Sequence, residues 1–244
     1  MAKQDEISYV ETVSRVDNVS VSDFTSYLSR KPYSDISAGD YLMDISQLLK
    51  FLPPRPARVL DLGVGSGWTS EIFAHVGYEV VGLDISPDMI EIAKSKVTEG
   101  LNLRFYVHDY EKPFSFGLFD AVVMYDSLHH CENENQVIEN ICAALTPQGL
   151  FLAIEPGRGH SRSKAAADAA RKYGTTERDM PFHYVKRVLV KKGFREVKQY
   201  MCLKQLSLFD LSKPTDGLRQ LRHLVWLVLK TVRLGATSVI VAQK

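Results

Sequence analysis

Cysteine is scarce in this 244-residue chain. Cys131, Cys142 and Cys202 form an odd set with no CxxC spacing, which argues against a disulfide framework or a zinc knuckle and suits a reducing compartment. Excess charge is missing too: 30 Lys and Arg face 29 Asp and Glu, a formal net charge of +1, so no global field recruits a polyanion such as duplex DNA. No apolar h-region follows the lysine in MAKQDEISYV, and no secretory signal is expected. The longest mainly apolar stretch, Leu221 to Leu234, is broken by Arg222, His223, Lys230 and Arg233, well short of the roughly 20 uninterrupted residues of a membrane-spanning helix. Internal repeats and low-complexity tracts are absent as well. What remains, 45% hydrophobic and 24% charged residues, is ordinary for a cored globular protein, expected to be soluble and cytoplasmic.

From residue 58 onward, β-rich apolar runs alternate with helical patterns, the rhythm of parallel strands joined by crossover helices. Strands are predicted at 58–62, 79–84, 102–108, 120–125 and 150–155, with helices near 68–76, 87–98 and 133–145. Ser86 is a natural N-cap with Pro87 at the first helical position, and Thr146-Pro147-Gln148-Gly149 reads as a stop between helix and strand. Beyond Glu155 a turn-rich loop precedes an alanine-rich helix at 163–173; a helix at 181–192 leads to a strand at 194–203, and a last strand spans 236–242. Residues 1–57 lack strand rhythm and read as a helical extension or lid, leaving 58–244 as the main domain with a helical insertion at 206–235.

The run Val59-Leu60-Asp61-Leu62-Gly63-Val64-Gly65-Ser66-Gly67 places three glycines where the first strand gives way to its helix. Glycine lets backbone approach a ligand closely, and the helix amino terminus offers free N–H groups. The GxGxG spacing differs from the GxGxxG of nicotinamide-binding turns, which disfavours an oxidoreductase. Twenty-three residues after Asp61, Asp84 ends the second strand, where a carboxylate can accept ribose hydroxyl protons. Asp109 follows the third strand and could accept from an adenine amino group.

With these residues on consecutive strand ends, the chain resembles the class I S-adenosylmethionine-dependent methyltransferases of the small-molecule type. The segments carrying the resemblance are VLDLGVGSGWTS from Val59, VVGLDISPDMIEIAK from Val80, VHDYEKPF from Val107, FDAVVMYDSLHH from Phe119 and LTPQGLFLAIEPG from Leu145. It implies an α/β, Rossmann-like seven-stranded sheet with an antiparallel last strand, helices on both faces, and S-adenosylmethionine as cofactor. It also implies that Gly63, Gly65 and Gly67 line the methionine portion with Asp61 nearby, and that Asp84 holds the ribose. Ile85 would pack on adenine, Asp109 with Tyr110 would border its amino group, and Tyr125 would border the reactive side. The expected activity is methyl transfer to an oxygen or nitrogen of a small molecule; a silent cofactor-binding partner module is the alternative.

Such a transfer needs alignment and, for an oxygen nucleophile, a base. His129 is the first candidate because histidine titrates near neutrality, with Glu155 and the adjacent His130 behind it. A metal site from His129, His130, Glu155 and His160 lacks recognised ligand spacing, so metal-free transfer is expected. The fourth strand ends in YDSLHH rather than the Asn/Asp-Pro-Pro-Tyr/Phe run of amino methyltransferases, and no Pro-Cys dipeptide exists for cytosine attack; nucleic acid is not an expected substrate. Tyr33, Arg158, His160, His183 and Tyr184 are polar candidates for the acceptor pocket. The EPGRGHS and TERDMPFHY segments resemble methyltransferases of carbohydrate and secondary-metabolite pathways. Between Gly217 and Leu234, Leu218, Leu221, Val225, Val228 and Val232 share a helical face, accompanied by Arg219, Arg222, Lys230 and Arg233 and no acid. Such a helix covers a sheet edge, meets a dimer partner or rests on an anionic membrane.

Overall fold

Buried apolar runs alternating with amphipathic helices give this chain a central sheet wrapped by helices. The structure, a computed structural model, describes residues 2–202, 204 and 217–244. The strands are β1 (Arg58–Leu62), β2 (Glu79–Asp84), β3 (Leu103–Val107), β4 (Phe119–Tyr125), β5 (Leu145–Glu155), β6 (Val197–Met201) and β7 (Ser238–Gln243). They form one sheet in the order β3-β2-β1-β4-β5-β7-β6, parallel except for β7, which runs antiparallel to both β5 and β6. The strand order reverses between β1 and β4, so their carboxyl ends part there and open a crevice.

The central strands are apolar on both faces because both are covered. Leu60, Leu62, Val122 and Met124 belong to one core, while Val59, Ala121 and Val123 belong to the other. The connecting helices are α5 (Trp68–Val76), α6 (Pro87–Lys94) and α7 (Glu134–Ala144). Ser86 caps α6 by accepting from the Met89 N–H, with Pro87 in the first turn as expected. That helix stops at Lys94, short of residue 98, and the Lys96 ammonium folds inward to the Ser29 carbonyl and the Glu71 carboxylate. The stop expected at Thr146–Gly149 takes another form: these residues lie within β5, but the pairing jumps from Phe119↔Leu145 to Ala121↔Leu150, so the four residues bulge out of register.

The described residues of the amino-terminal extension, 2–57, carry helices as expected: α1 (Ala2–Ile7), α2 (Tyr9–Asp17), α3 (Val21–Ser29) and α4 (Ala38–Leu49). The Ile7 carbonyl accepts from the Ser86 hydroxyl, which seats the end of α1 on the carboxyl edge of β2. Helix α4 buries Ile45 and Leu48 against the sheet. After β5 come α8 (Lys164–Tyr173) and α9 (Phe182–Lys191), and α10 (Gly217–Leu234) precedes β7. The first part of the expected 206–235 insertion, residues 206–216, lies outside the described residues, as does Leu203 at the end of the expected 194–203 strand. Helix α10 does not lay its apolar face on the sheet edge. Among its described side chains, Leu227 and Thr231 are buried, while Leu218, Leu221, Val225, Trp226, Val228 and Val232 are exposed. None of the described helices is long and apolar enough to cross a membrane.

Two glycines separate packing from propensity. A side chain on Gly157, just after β5, would strike the backbone of Gly235 and Ala236, whereas one on Gly39 in α4 meets nothing within 4 Å. Gly157→Ala is therefore expected to destabilise the chain by about 2 kcal/mol, and Gly39→Ala to stabilise it by about 0.5 kcal/mol. Urea unfolding of both variants checks the opposite signs.

Candidate active site

The crevice at the β1/β4 divergence is built first by backbone. Gly63 and Gly65 adopt φ values of +72° and +51°, in the left-handed region that glycine tolerates. A side chain on Gly63 would collide with Ser127, while the space beside Gly65 is open to 4 Å. Asp84 pins this turn: its Oδ2 accepts from the Gly65 N–H at 2.8 Å, and its Oδ1 from the Ser86 N–H at 2.9 Å. Burial raises the Asp84 pKa, opposed by those two hydrogen bonds. Together with Ile85, Asp109 and Tyr110, these residues line a cavity of about 340 Å³, within the roughly 300–1,000 Å³ of small-molecule sites. Helix α1 roofs it. Lys3 pairs with Asp109 at 3.0 Å and Glu111 at 3.2 Å, and Glu6 and Tyr9 also face the cavity. Burial pushes the Glu6 carboxyl up to about 7, despite the hydrogen bond from the Thr176 N–H.

The other wall comes from the loop after β4. Glu155, buried at the end of β5, accepts from the Ser127 and Leu128 N–H groups on Oε1, and from the His129 N–H and Nδ1 on Oε2, the last at 2.9 Å. On the far side of the ring, His129 Nε2 lies 3.6 Å from Glu177 Oε2, which also meets His160 Nε2 at 2.7 Å. Burial alone lowers the His129 pKa, but the Glu155 hydrogen bond and the charges of Glu155, Asp126 and Glu177 raise it to about 9. As an imidazolium at neutral pH it has no lone pair to accept a proton. The His130 ring lies 4.0 Å from that of His129, tilted by 39°, with Nδ1 2.6 Å from the Thr176 carbonyl; burial and the His129 charge lower its pKa.

Of the cofactor candidates, Gly63, Gly65, Asp84, Ile85, Asp109 and Tyr110 meet around one cavity. Asp61 lies behind it, buried, accepting from the Thr69 and Ser70 hydroxyls at 2.6 Å each, with burial raising its pKa to about 6. Gly67 lies at the start of α5, where a side chain would strike Ala93 and Phe105. Tyr125 lines a second cavity of about 320 Å³ with Tyr41, Trp68 and Lys31, and donates to Asp44 at 2.9 Å.

Among the acceptor candidates, His160 joins Tyr125, Asp126 and Lys204 around a smaller third cavity. Tyr33 is 75% exposed and lines none of these three cavities. Tyr184 donates to Glu134, itself paired with Arg178 at 2.8 Å, on the flank of the core. His183 and Arg158 are exposed and also stand outside those cavities. Sequence reasoning passed over Asp126, which lines all three. Its φ of +53° is a backbone state that aspartate accepts more readily than most residues. It also passed over Lys3, Glu6 and Glu177, which arrive from distant segments.

Residues 60–153 match the family described as a methyltransferase domain. Among curated proteins, the chain is 38% identical over 104 residues to the putative methyltransferase YqeM of Bacillus subtilis, covering 41% of this chain and 42% of that protein. It is 34% identical over 106 residues to a ubiquinone biosynthesis O-methyltransferase of Xanthomonas axonopodis pv. citri, covering 42% and 44%. The matched stretch thus spans less than half the length of these relatives. Among solved structures, the phosphoethanolamine N-methyltransferase 2 of Haemonchus contortus, in complex with S-adenosyl-L-methionine, superposes with a TM-score of 0.60 at 20% identity, over 91% of this chain and 60% of that one.

The His129 charge makes stability depend on pH. A pKa raised from 6.5 to about 9 on folding contributes stability that is complete below pH 6.5 and lost as pH rises through 9. Urea unfolding in EDTA-containing buffer is expected to show stability falling across that window, with the fall much reduced in His129→Gln; equal pH dependence in both proteins would contradict the assignment.

Proposed function

We propose that this chain, which carries a methyltransferase domain on the class I methyltransferase fold, transfers a methyl group from S-adenosylmethionine to an oxygen or nitrogen of a small-molecule acceptor. The observation that carries this reading is the Gly63–Gly65 turn pinned by Asp84 at the rim of the 340 Å³ cavity. The residues fit such a cofactor. Gly65 leaves free space where other residues would place a side chain, and each Asp84 oxygen, with one backbone N–H bound, retains acceptor capacity for a ribose hydroxyl. Ile85 supplies an apolar contact for adenine, with Asp109 and Tyr110 at its amino edge. When bound, S-adenosylmethionine supplies a methyl group on a sulfonium, its own leaving group.

The chain's part is then to orient and to take up a proton. The acceptor enters from the side of Tyr125, His160 and Lys204, where the third cavity meets Asp126. The Asp126 carboxylate, exposed at the junction of the cavities, would take up the proton that the acceptor oxygen or nitrogen releases. Glu155, saturated by four donors, holds the 127–129 loop and His129 in place rather than taking a proton from the acceptor. Residues 1–57 act as a lid over 58–244, with α1 closing the adenosyl end through Lys3. Asp84→Asn is expected to weaken S-adenosylmethionine binding at least about tenfold in calorimetric titration while the thermal unfolding midpoint stays within a few degrees. Unchanged affinity would refute the ribose assignment.

The exposed apolar residues of α10, flanked by Arg219, Arg222, Lys230 and Arg233, support peripheral docking on an anionic bilayer. Co-sedimentation with phosphatidylglycerol vesicles, weakened by salt and absent for Trp226→Glu, is expected; no sedimentation of the unaltered chain removes the membrane reading.

A further inference from the structure

The loop after β5 and the segment before α9 converge on the buried ring of His129, and methyl transfer as derived above uses little of what they bring. Asp179 accepts from the N–H groups of Gly159 and Ser161 at 2.8 Å each, which holds the turn bearing His160 against the strand end. Two residues earlier, Glu177 turns its Oε2 toward both His160 and His129. One donor atom from each of these three residues lies within 4.8 Å of the other two.

We propose that His129, His160 and Glu177 bind a divalent first-row transition-metal cation, zinc in the first instance. Two imidazoles and one carboxylate are the ligand set of open zinc sites, in which the fourth position is left to water or substrate. Tetrahedral zinc with bonds near 2.0 Å separates its ligand atoms by roughly 3.3 Å. The Nε2–Oε2 distances of 2.7 Å from His160 and 3.6 Å from His129 bracket that value, so small side-chain adjustments seat the ion. His129, 98% buried, turns its Nε2 to the same Glu177 oxygen at 3.6 Å, close to the ligand separation that zinc needs.

The surroundings are those a metal-binding histidine needs. His129 Nδ1 is held at 2.9 Å by Glu155, the carboxylate–histidine arrangement that fixes which ring nitrogen faces the ion. Glu177 is oriented in turn, its Oε1 accepting from the Thr175 hydroxyl at 3.0 Å, which leaves Oε2 for the cluster. Two carboxylates, Glu155 and Glu177, flank the site, so a divalent ion that displaces the Nε2 proton of His129 to solvent, leaving two neutral imidazoles, balances their charge. Imidazole nitrogen selects zinc and its neighbours over magnesium, which prefers oxygen ligands throughout. The site opens toward the third cavity through His160 and toward the one lined by Asp84 through Glu177. Resting on the proposed methyl transfer, the ion's role would be to hold an acceptor hydroxyl and lower its pKa.

The test uses the full chain stripped with a chelator and dialysed, titrated with Zn²⁺ by calorimetry and with Co²⁺ by visible absorption. One equivalent of Zn²⁺ is expected, with tetrahedral cobalt bands and no uptake of Mg²⁺. Glu177→Gln and His160→Ala should each weaken Zn²⁺ binding at least about a hundredfold, more than the 10- to 100-fold that outer partners give, while Cys142→Ser leaves it unchanged. No Zn²⁺ binding by the stripped chain, or binding that survives both ligand substitutions, overturns the proposal. S-adenosylmethionine binding to the same stripped chain reports separately on the methyl-transfer reading. Adenosyl binding without zinc binding ends the metal site alone, and zinc binding without adenosyl binding leaves the metal site standing while ending the cofactor reading.

Discussion

A carboxylate sealed from solvent is costly unless every lone pair finds a donor, and Glu155 meets that condition with three backbone N–H groups and one imidazole. The demand runs outward in both directions. To supply three consecutive amides, the chain after β4 must curl immediately, which sets Asp126 in its left-handed conformation and brings Ser127 onto the Leu62 carbonyl at the end of β1. To supply the imidazole, His129 must lie inside the protein with its other nitrogen facing the 160 loop. One buried charge therefore ties β1, β4 and β5 together at the edge where the cavities open.

The site is divided by what its walls are made of. On the β1–β2 side, backbone does the work: glycines leave room and Asp84 fixes the turn, so that wall changes little when side chains elsewhere change. Beyond β4 the wall consists of long titratable side chains from four separate segments, whose positions depend on one another. Hydrogen bonds from Asp179 set the 160 turn, and Thr175 sets Glu177. On the proposed function, cofactor recognition and acceptor recognition would thus rest on different physical means, and the second could be altered by changing loops without disturbing the first.

This division also governs how much could be read from sequence. Strands 58–62 and 79–84 and the helix 68–76 are visible because apolar periodicity and glycine punctuation are local, and the glycine turn with Asp84 follows from strand ends alone. The TPQG bulge was hidden because its turn residues look the same in or out of a ladder; only the Phe119 pairing decides. Tyr33, His183 and Tyr184 drew attention as polar residues, but polarity says nothing of direction, and Tyr184 turns to Glu134 on the flank of the core. Lys3, Glu6 and Glu177 carry no motif at all. They reach the site because α1 and the 175–179 segment pack across the sheet edge, a tertiary fact without local signature.

The seating of α1 has a consequence for timing. Its hold on the body includes the Lys3 pairs, the Ser86–Ile7 bond and the bond from Thr176 to Glu6, a handful of polar contacts that are individually weak and break without disturbing either core. A ligand enclosed beneath such a cover leaves only as often as the cover lifts. On the proposed function, its residence time would then depend on how often this six-residue helix lifts as well as on the affinity of the groove, to which Lys3 and Glu6 of the same helix contribute.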